Sequence, residues 1–218
     1  MKRIIFTAIM FSFVSAVFAQ KTKGIITAAE AERIERVLAS DEMKGRKTFS
    51  PEIDKAADFI ADEFKKAGLS EWKQGEGYKQ SFALSSAKQT SLKATVDGQE
   101  VDAKNVLAIT FKPELKVTEA DKYETAQIAA GQQLFQLAYE YINSKKNLIV
   151  VVDTSFARNL SRLSRFKSGA FASETSVIFI LGTTVPKTYS IEATHEITES
   201  KLANVVGVLP GKVKKMRS

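Results

Sequence analysis

Apolar residues begin as one nearly unbroken block, Ile4 to Val14, and afterwards fall into two rhythms, one with a helical period and one that alternates. The helical rhythm comes first. Thr27-Ala28-Ala29-Glu30 has the pattern of a capping box, and Ala31, Ile34, Val37 and Leu38 follow at helical spacing, which predicts a helix over residues 28–40. After a polar link, 41–49, Ser50 stands as a candidate N-cap and Pro51 at a first helical position, where its missing N–H costs nothing. Ile53, Ala57, Ile60 and Phe64 form the apolar stripe of this second helix, and Gly68 stands where a left-handed C-cap is wanted.

Beyond Trp72 alternation takes over. Residues 78–84, 91–96 and 105–111 read as strands, with Asp97-Gly98 as a tight hairpin turn. Pro113 closes the last of these, and the spacing of Ile128, Leu134, Phe135, Leu137, Ala138 and Ile142 predicts a long helix over 123–143. Leu148-Ile149-Val150-Val151-Val152 is continuously apolar and β-branched, as in a strand covered on both faces, and 176–181 repeats the pattern. Residues 156–167 read as a basic amphipathic helix, 189–197 alternate, and 203–209 form a last apolar strand closed by Pro210-Gly211. The class this predicts is mixed α/β.

The first block changes meaning once its flanks are considered. Lys2 and Arg3 precede it, and Val17-Phe18-Ala19 follows with small residues on both sides of Phe18, so residues 1–19 have the three parts of a cleavable export signal. The block is short for a bilayer span, and no cysteine is available for a lipid anchor. The expectation is an exported protein, periplasmic or extracellular, without a stable membrane anchor. Zero cysteines also remove disulfides, thiolate metal sites and cysteine nucleophiles. With 44% hydrophobic and 26% charged residues the composition is globular. Without Lys2 and Arg3, the 32 basic residues become 30 against 25 acidic ones, interleaved along the chain, which argues against a nucleic-acid partner.

Three segments carry a family resemblance. Val37-Leu38-Ala39-Ser40-Asp41-Glu42-Met43-Lys44-Gly45-Arg46, then Ser50-Pro51, Asp54-Lys55-Ala56-Ala57-Asp58-Phe59-Ile60 and Phe64-Lys65-Lys66-Ala67-Gly68-Leu69, form the opening segment, with Tyr78-Lys79-Gln80-Ser81-Phe82 as the strand leading away. Asn204-Val205-Val206-Gly207-Val208-Leu209-Pro210-Gly211 is the second, and residues 104–200 occupy the place of an insertion between them. Together they resemble secreted bacterial zinc aminopeptidases of the M28 peptidase family, with a protease-associated (PA-like) insertion. The resemblance implies a division into a signal peptide (1–19), the amino-terminal segment of a peptidase domain (20–103), an inserted PA-like α/β segment (104–200) and the first strand of the catalytic sheet (201–218). It implies a fold that is an incomplete peptidase α/β domain, peptides or proteins as substrates, and two zinc ions in the complete family protein. Family ligands begin with a His-x-Asp motif shortly after that strand, so the expectation is a chain that ends before it, holds no catalytic, cofactor-binding or metal residue, and is inactive alone. The alternative is a non-catalytic exported protein that binds a peptide or an envelope partner through residues 123–181.

Other candidate residues have simpler readings. His195 is the only histidine; a zincin helix needs a second one turn away, where Glu199 stands, so His195 reads as an exposed or satisfied strand residue. Asp54, Asp58 and Asp62 lie on the helix face opposite the apolar stripe, where solvated charge belongs, with Lys66 placed to pair with Asp62. Arg158, Arg162 and Arg165 could meet an acidic surface, although a crossover helix with a solvated basic face accounts for them. Asp41, Glu42 and Arg46 are candidates for a structural ion pair.

Overall fold

In a computed structural model, residues 27–73 and 75–211 are described; the expected export signal at 1–19 lies outside them. The chain divides into two units, Met1–Phe59 and Ile60–Ser218. In the first, α1 spans Ala28–Leu38, and Thr27 Oγ1 accepts the Glu30 N–H at 3.2 Å, as the cap predicts. No residue of α1 is fully buried; Ile34, Val37 and Leu38 are half-buried. A 3₁₀ segment, Asp41–Arg46, follows, and α2 spans Pro51–Lys66, crossing the boundary between the units. Ser50 Oγ donates to the Lys47 carbonyl at 2.7 Å.

The second unit is built on two four-stranded sheets. Strand β1 is Ser70–Glu71, β2 Lys79–Val96, β3 Gln99–Val101, β4 Val106–Ile109, β5 Glu114–Thr118 and β6 Glu124–Ile128. Helix α3 is Leu134–Asn143, followed by β7 Leu148–Val152, β8 Val177–Leu181, β9 Tyr189–Val205 and β10 Gly207–Val208. One sheet has the order β3-β2-β9-β5 and is antiparallel; the other runs β4-β8-β7-β6, with β6, β7 and β8 parallel and β4 antiparallel. The short pair β1-β10 stands apart from both.

Alternation along the second sheet sorts its side chains into two cores. Leu107, Val150, Val152 and Phe179 meet Leu134 and Ala138 of α3 together with Leu160 and Leu163. Val106, Ala108, Ile149, Ile178 and Ile180 meet Leu115, Val117, Tyr189, Ile191 and Ala193 of the first sheet. The unit is therefore layered helix, sheet, sheet. Both faces of β7 are covered, which is why its sequence is apolar without interruption.

Asp97 and Gly98, with φ of +48° and +76°, make the tight turn from β2 to β3, a conformation that glycine adopts without steric cost. The Asp97 carboxylate accepts from the Lys187 and Thr188 amides at 2.8 and 3.0 Å, bonds that hold its carboxyl below the usual range, Thr188 contributing most.

Several expected elements are redrawn. The strands at 78–84 and 91–96 are one continuous β2, because β9 pairs with it from Lys79↔Val205 to Val96↔Tyr189 across a register shift between Gln89 and Ser91. Likewise 189–197 and the first part of 203–209 belong to β9, and only Gly207 and Val208 form the separate β10. The long helix over 123–143 does not form. Its first part is β6, whose backbone groups are taken by β7, and α3 starts only after a turn in which Gly131 has φ +80°. The helix over 156–167 is replaced by 3₁₀ turns, Thr154–Phe156 and Leu160–Lys167.

Candidate functional site

Residues 160 to 167 read Leu-Ser-Arg-Leu-Ser-Arg-Phe-Lys, a repeat of three. A 3₁₀ helix has about three residues per turn, so positions three apart eclipse one another and each member of the repeat has its own face. Leu160 and Leu163 are buried in the core with half-buried Phe166 packed against it. Ser161, Ser164 and Lys167 line a cleft of about 460 Å³. Arg162 and Arg165 turn to the aromatic rings, 5.3 and 4.6 Å from the centroid of Phe135, with Arg165 also 5.1 Å from that of Phe166.

The first cleft is also lined by β2 residues 86–89, with Val106, Leu107 and Leu160 among its apolar residues. Lys167 is only 3% exposed, and its ammonium donates to the Ala108 carbonyl of β4 at 2.8 Å. Among the described residues no carboxylate pairs with it. Burial disfavours its charge and draws its pKa down to about 8.

His195 faces Gln89 across the β2-β9 ladder. It is 6% exposed, and neither ring nitrogen has a hydrogen-bond partner among the described residues; the Gln89 Oε1 is likewise buried without one. The reading of His195 as exposed or satisfied is thus corrected, since it continues the inward row Tyr189, Ile191, Ala193 of β9. Burial, assisted by the nearby charge of Lys167, lowers its pKa to about 4, so the imidazole is neutral at physiological pH.

On the other side of the same 3₁₀ segment lies a groove of about 680 Å³, with Phe111, Tyr139, Ile142, Arg165, Phe166 and Phe171 in its walls. Tyr139 and Phe171 are 57% and 69% exposed, a large apolar area for side chains facing water. The Tyr139 ring lies tilted against Phe166 with centroids 6.0 Å apart, and Phe171 lies tilted against Phe82 at 5.9 Å. Arg158 is exposed in the turn between the two 3₁₀ segments, so the three arginines do not form one helical face. None of them is ion-paired among the described residues.

Comparison with protein-family models, curated proteins and solved structures returns no match.

The acidic candidates stay dispersed. Asp54, Asp58 and Asp62 are exposed along α2 as expected, but the partner of Lys66 is Glu63, at 2.8 Å, rather than Asp62. Asp41, Glu42 and Arg46 are exposed and make no ion pair with one another; the pair in this stretch is Lys44 with Glu52 at 3.2 Å, and Lys44 holds the Glu52 carboxyl below its ordinary value. Among the described residues no group of three His, Asp or Glu side chains is placed to hold a metal ion, so the zinc pair of the resembled family finds no ligand set in them. Among the same residues no helix is long and apolar enough to cross a membrane. Lys167 and Gln89 are the site residues that the sequence reading passes over.

Proposed function

We propose that this chain is the amino-terminal part of an exported M28-type zinc aminopeptidase, with residues 79–205 as a body inserted into it. The observation that carries the reading is the meeting of the two segments that resemble the family. β1 pairs with β10, and the Val206 N–H donates to the Tyr78 carbonyl at 2.8 Å. Tyr78 Oη donates to the Leu69 carbonyl at 2.6 Å, and its ring meets Phe64 edge-on at 6.5 Å. Gly207 closes the contact: a Cβ there would stand 2.7 Å from Leu69 Cδ1 and 2.8 Å from Phe64 Cδ2, so any larger residue would have to push these side chains aside.

An inserted body has to leave and rejoin its host at neighbouring points. Lys79 and Val205 are register partners, and everything between them lies in the two sheets and their connections. On this reading the insertion is drawn from 79 to 205, in place of the 104–200 that the resemblance implies, and it takes in 79–82 and 204–205 from the ends of the two resembling segments. The activity of the complete protein would be removal of amino-terminal residues from peptides outside the cytoplasm, with the metal ligands contributed by residues other than those described.

The expected test result is a His-x-Asp motif encoded shortly beyond the codon for Ser218, in this or a neighbouring frame. A protein extended through it should release amino acids from aminoacyl anilides and lose that activity to a chelator, while residues 20–218 show none. Absence of the motif, or chelator-resistant peptidase activity of residues 20–218, would overturn the proposal.

The second reading, a non-catalytic exported binding protein, draws support from the aromatic groove beside residues 160–167. A missing downstream motif together with peptide binding abolished by Phe171→Ser would favour it.

A further inference from the structure

The groove beside Arg165 leaves a large apolar area in water. Phe111, Ile142 and Phe166 line it half-buried, and the rings of Tyr139 and Phe171 in its walls are mostly exposed. An exposed apolar patch set in a concavity of about 680 Å³ marks a place where another molecule is received. Charge narrows what that molecule can be. Arg165 and Lys145 line the groove against one carboxylate, Glu174, and neither cation is ion-paired among the described residues. The Arg165 guanidinium lies over the rings of Phe135 and Phe166, 4.6 and 5.1 Å from their centroids. Stacking of this kind restrains a fork of N–H donors whose geometry matches a carboxylate.

The backbone along the groove narrows it further. Ala170 is bridged to Ser85, but from Phe171 to Glu174 the chain is in neither helix nor strand, and its backbone N–H and C=O groups have no hydrogen-bond partner among the described residues. A peptide supplies both donors and acceptors to such a stretch, as in strand addition, whereas acyl chains supply neither. This chain's own ends are poor occupants on charge, since residues 20–26 and 212–218 contain lysine or arginine and no Asp or Glu. We propose that the groove docks an extended segment of another protein in which an aromatic or branched apolar residue stands next to an Asp or Glu. The apolar side chain lies against Tyr139, Phe166 and Phe171, the carboxylate meets Arg165, and the main chain pairs along 171–174. The proposal rests on the second reading, binding of a peptide at this groove, and adds what the peptide must carry.

Titration calorimetry on the full chain tests it with the peptide acetyl-Gly-Thr-Val-Phe-Asp-Val-Thr-Gly-amide and two counterparts in which Asn or Lys replaces Asp. The Asp peptide should bind saturably, the Asn peptide about tenfold more weakly and the Lys peptide more weakly still. Arg165→Glu, at an exposed position, should leave thermal unfolding unchanged, weaken the Asp peptide by about tenfold or more and reverse the order so that the Lys peptide binds best. Arg158→Glu, exposed outside the groove, should change neither affinity nor order, and Phe171→Ser should weaken all three peptides. Equal binding of the three peptides would leave a peptide-binding protein without this specificity and overturn the proposal alone. No saturable binding of any peptide would overturn both it and the reading it rests on. An order unmoved by Arg165→Glu, or sedimentation with phosphatidylglycerol vesicles that is lost in Phe171→Ser while no peptide competes, would also overturn it, the latter in favour of a membrane surface.

Discussion

His195 and Lys167 carry opposite consequences of the same burial. Above about pH 6.5 His195 is neutral in both folded and unfolded chains; between there and its folded value of about 4 the unfolded chain takes up a proton that the folded chain refuses. Stability from this residue is therefore complete above pH 6.5 and is lost as pH falls through that window. For Lys167 the ordinary value is 10.5 and the folded one about 8, so the folded chain releases its proton first and stability rises between pH 8 and 10.5. We predict that the unfolding free energy measured in urea falls more steeply from pH 7 to 4.5 in the native chain than in His195→Phe, by about 2–3 kcal/mol. Equal slopes would contradict the buried neutral imidazole. The position of His195 was legible in principle, because Tyr189, Ile191 and Ala193 set the inward parity that it continues. Lys167 was not, since a lysine after an arginine reads as solvated, and its burial depends on a carbonyl of β4 far away in sequence.

Among the elements, the 3₁₀ segment at Leu160–Lys167 is the most informative, because it is longer than such helices usually are and its sequence period accounts for that. An α-helix with the same residues would smear leucines, serines and arginines around its circumference; a three-residue turn keeps them in columns. The repeat was visible, but reading the arginines as a helical face hid it. Leu163 anchors the column of leucines with no exposure at all. Leu163→Ala should cost about 2–5 kcal/mol in denaturant unfolding, and a loss below 1 kcal/mol would mean that the segment is not held by its core face. Strands β7 and β8 and the turn at Asp97 were readable because continuous apolar runs and Asp-Gly are local signals. β6 was not, because Ile128 at its end and the apolar residues after it fit a helical spacing and only pairing with β7 makes 124–128 extended. The union of two expected strands into β2 is of the same kind: polar residues at 85–90 look like a connection until β9 supplies their partners.

At the scale of the whole molecule, mixed α/β architecture followed from the two rhythms of the sequence, whereas the meeting of Tyr78 with Val206 could not, since the sequence names no partner across such a distance. That meeting has a mechanical side. From Lys79 to Gln89 and from His195 to Val205 the strands β2 and β9 pair as a ribbon, and β3 and β5 join them only further on. A pull applied at Tyr78 and Val206 would load the first rung of this ladder and then the next, as a zipper opens, instead of shearing all rungs together. With an optical trap and handles at those two residues, we predict a gradual low-force lengthening over the ribbon before any abrupt rupture of the two sheets; one high-force event releasing the entire body would refute it. Tension transmitted from a neighbouring segment would then be spent first in the outer rungs, 79–84 with 200–205, before it reaches Ser85, which Ala170 also holds, and the cleft lining at 86–89.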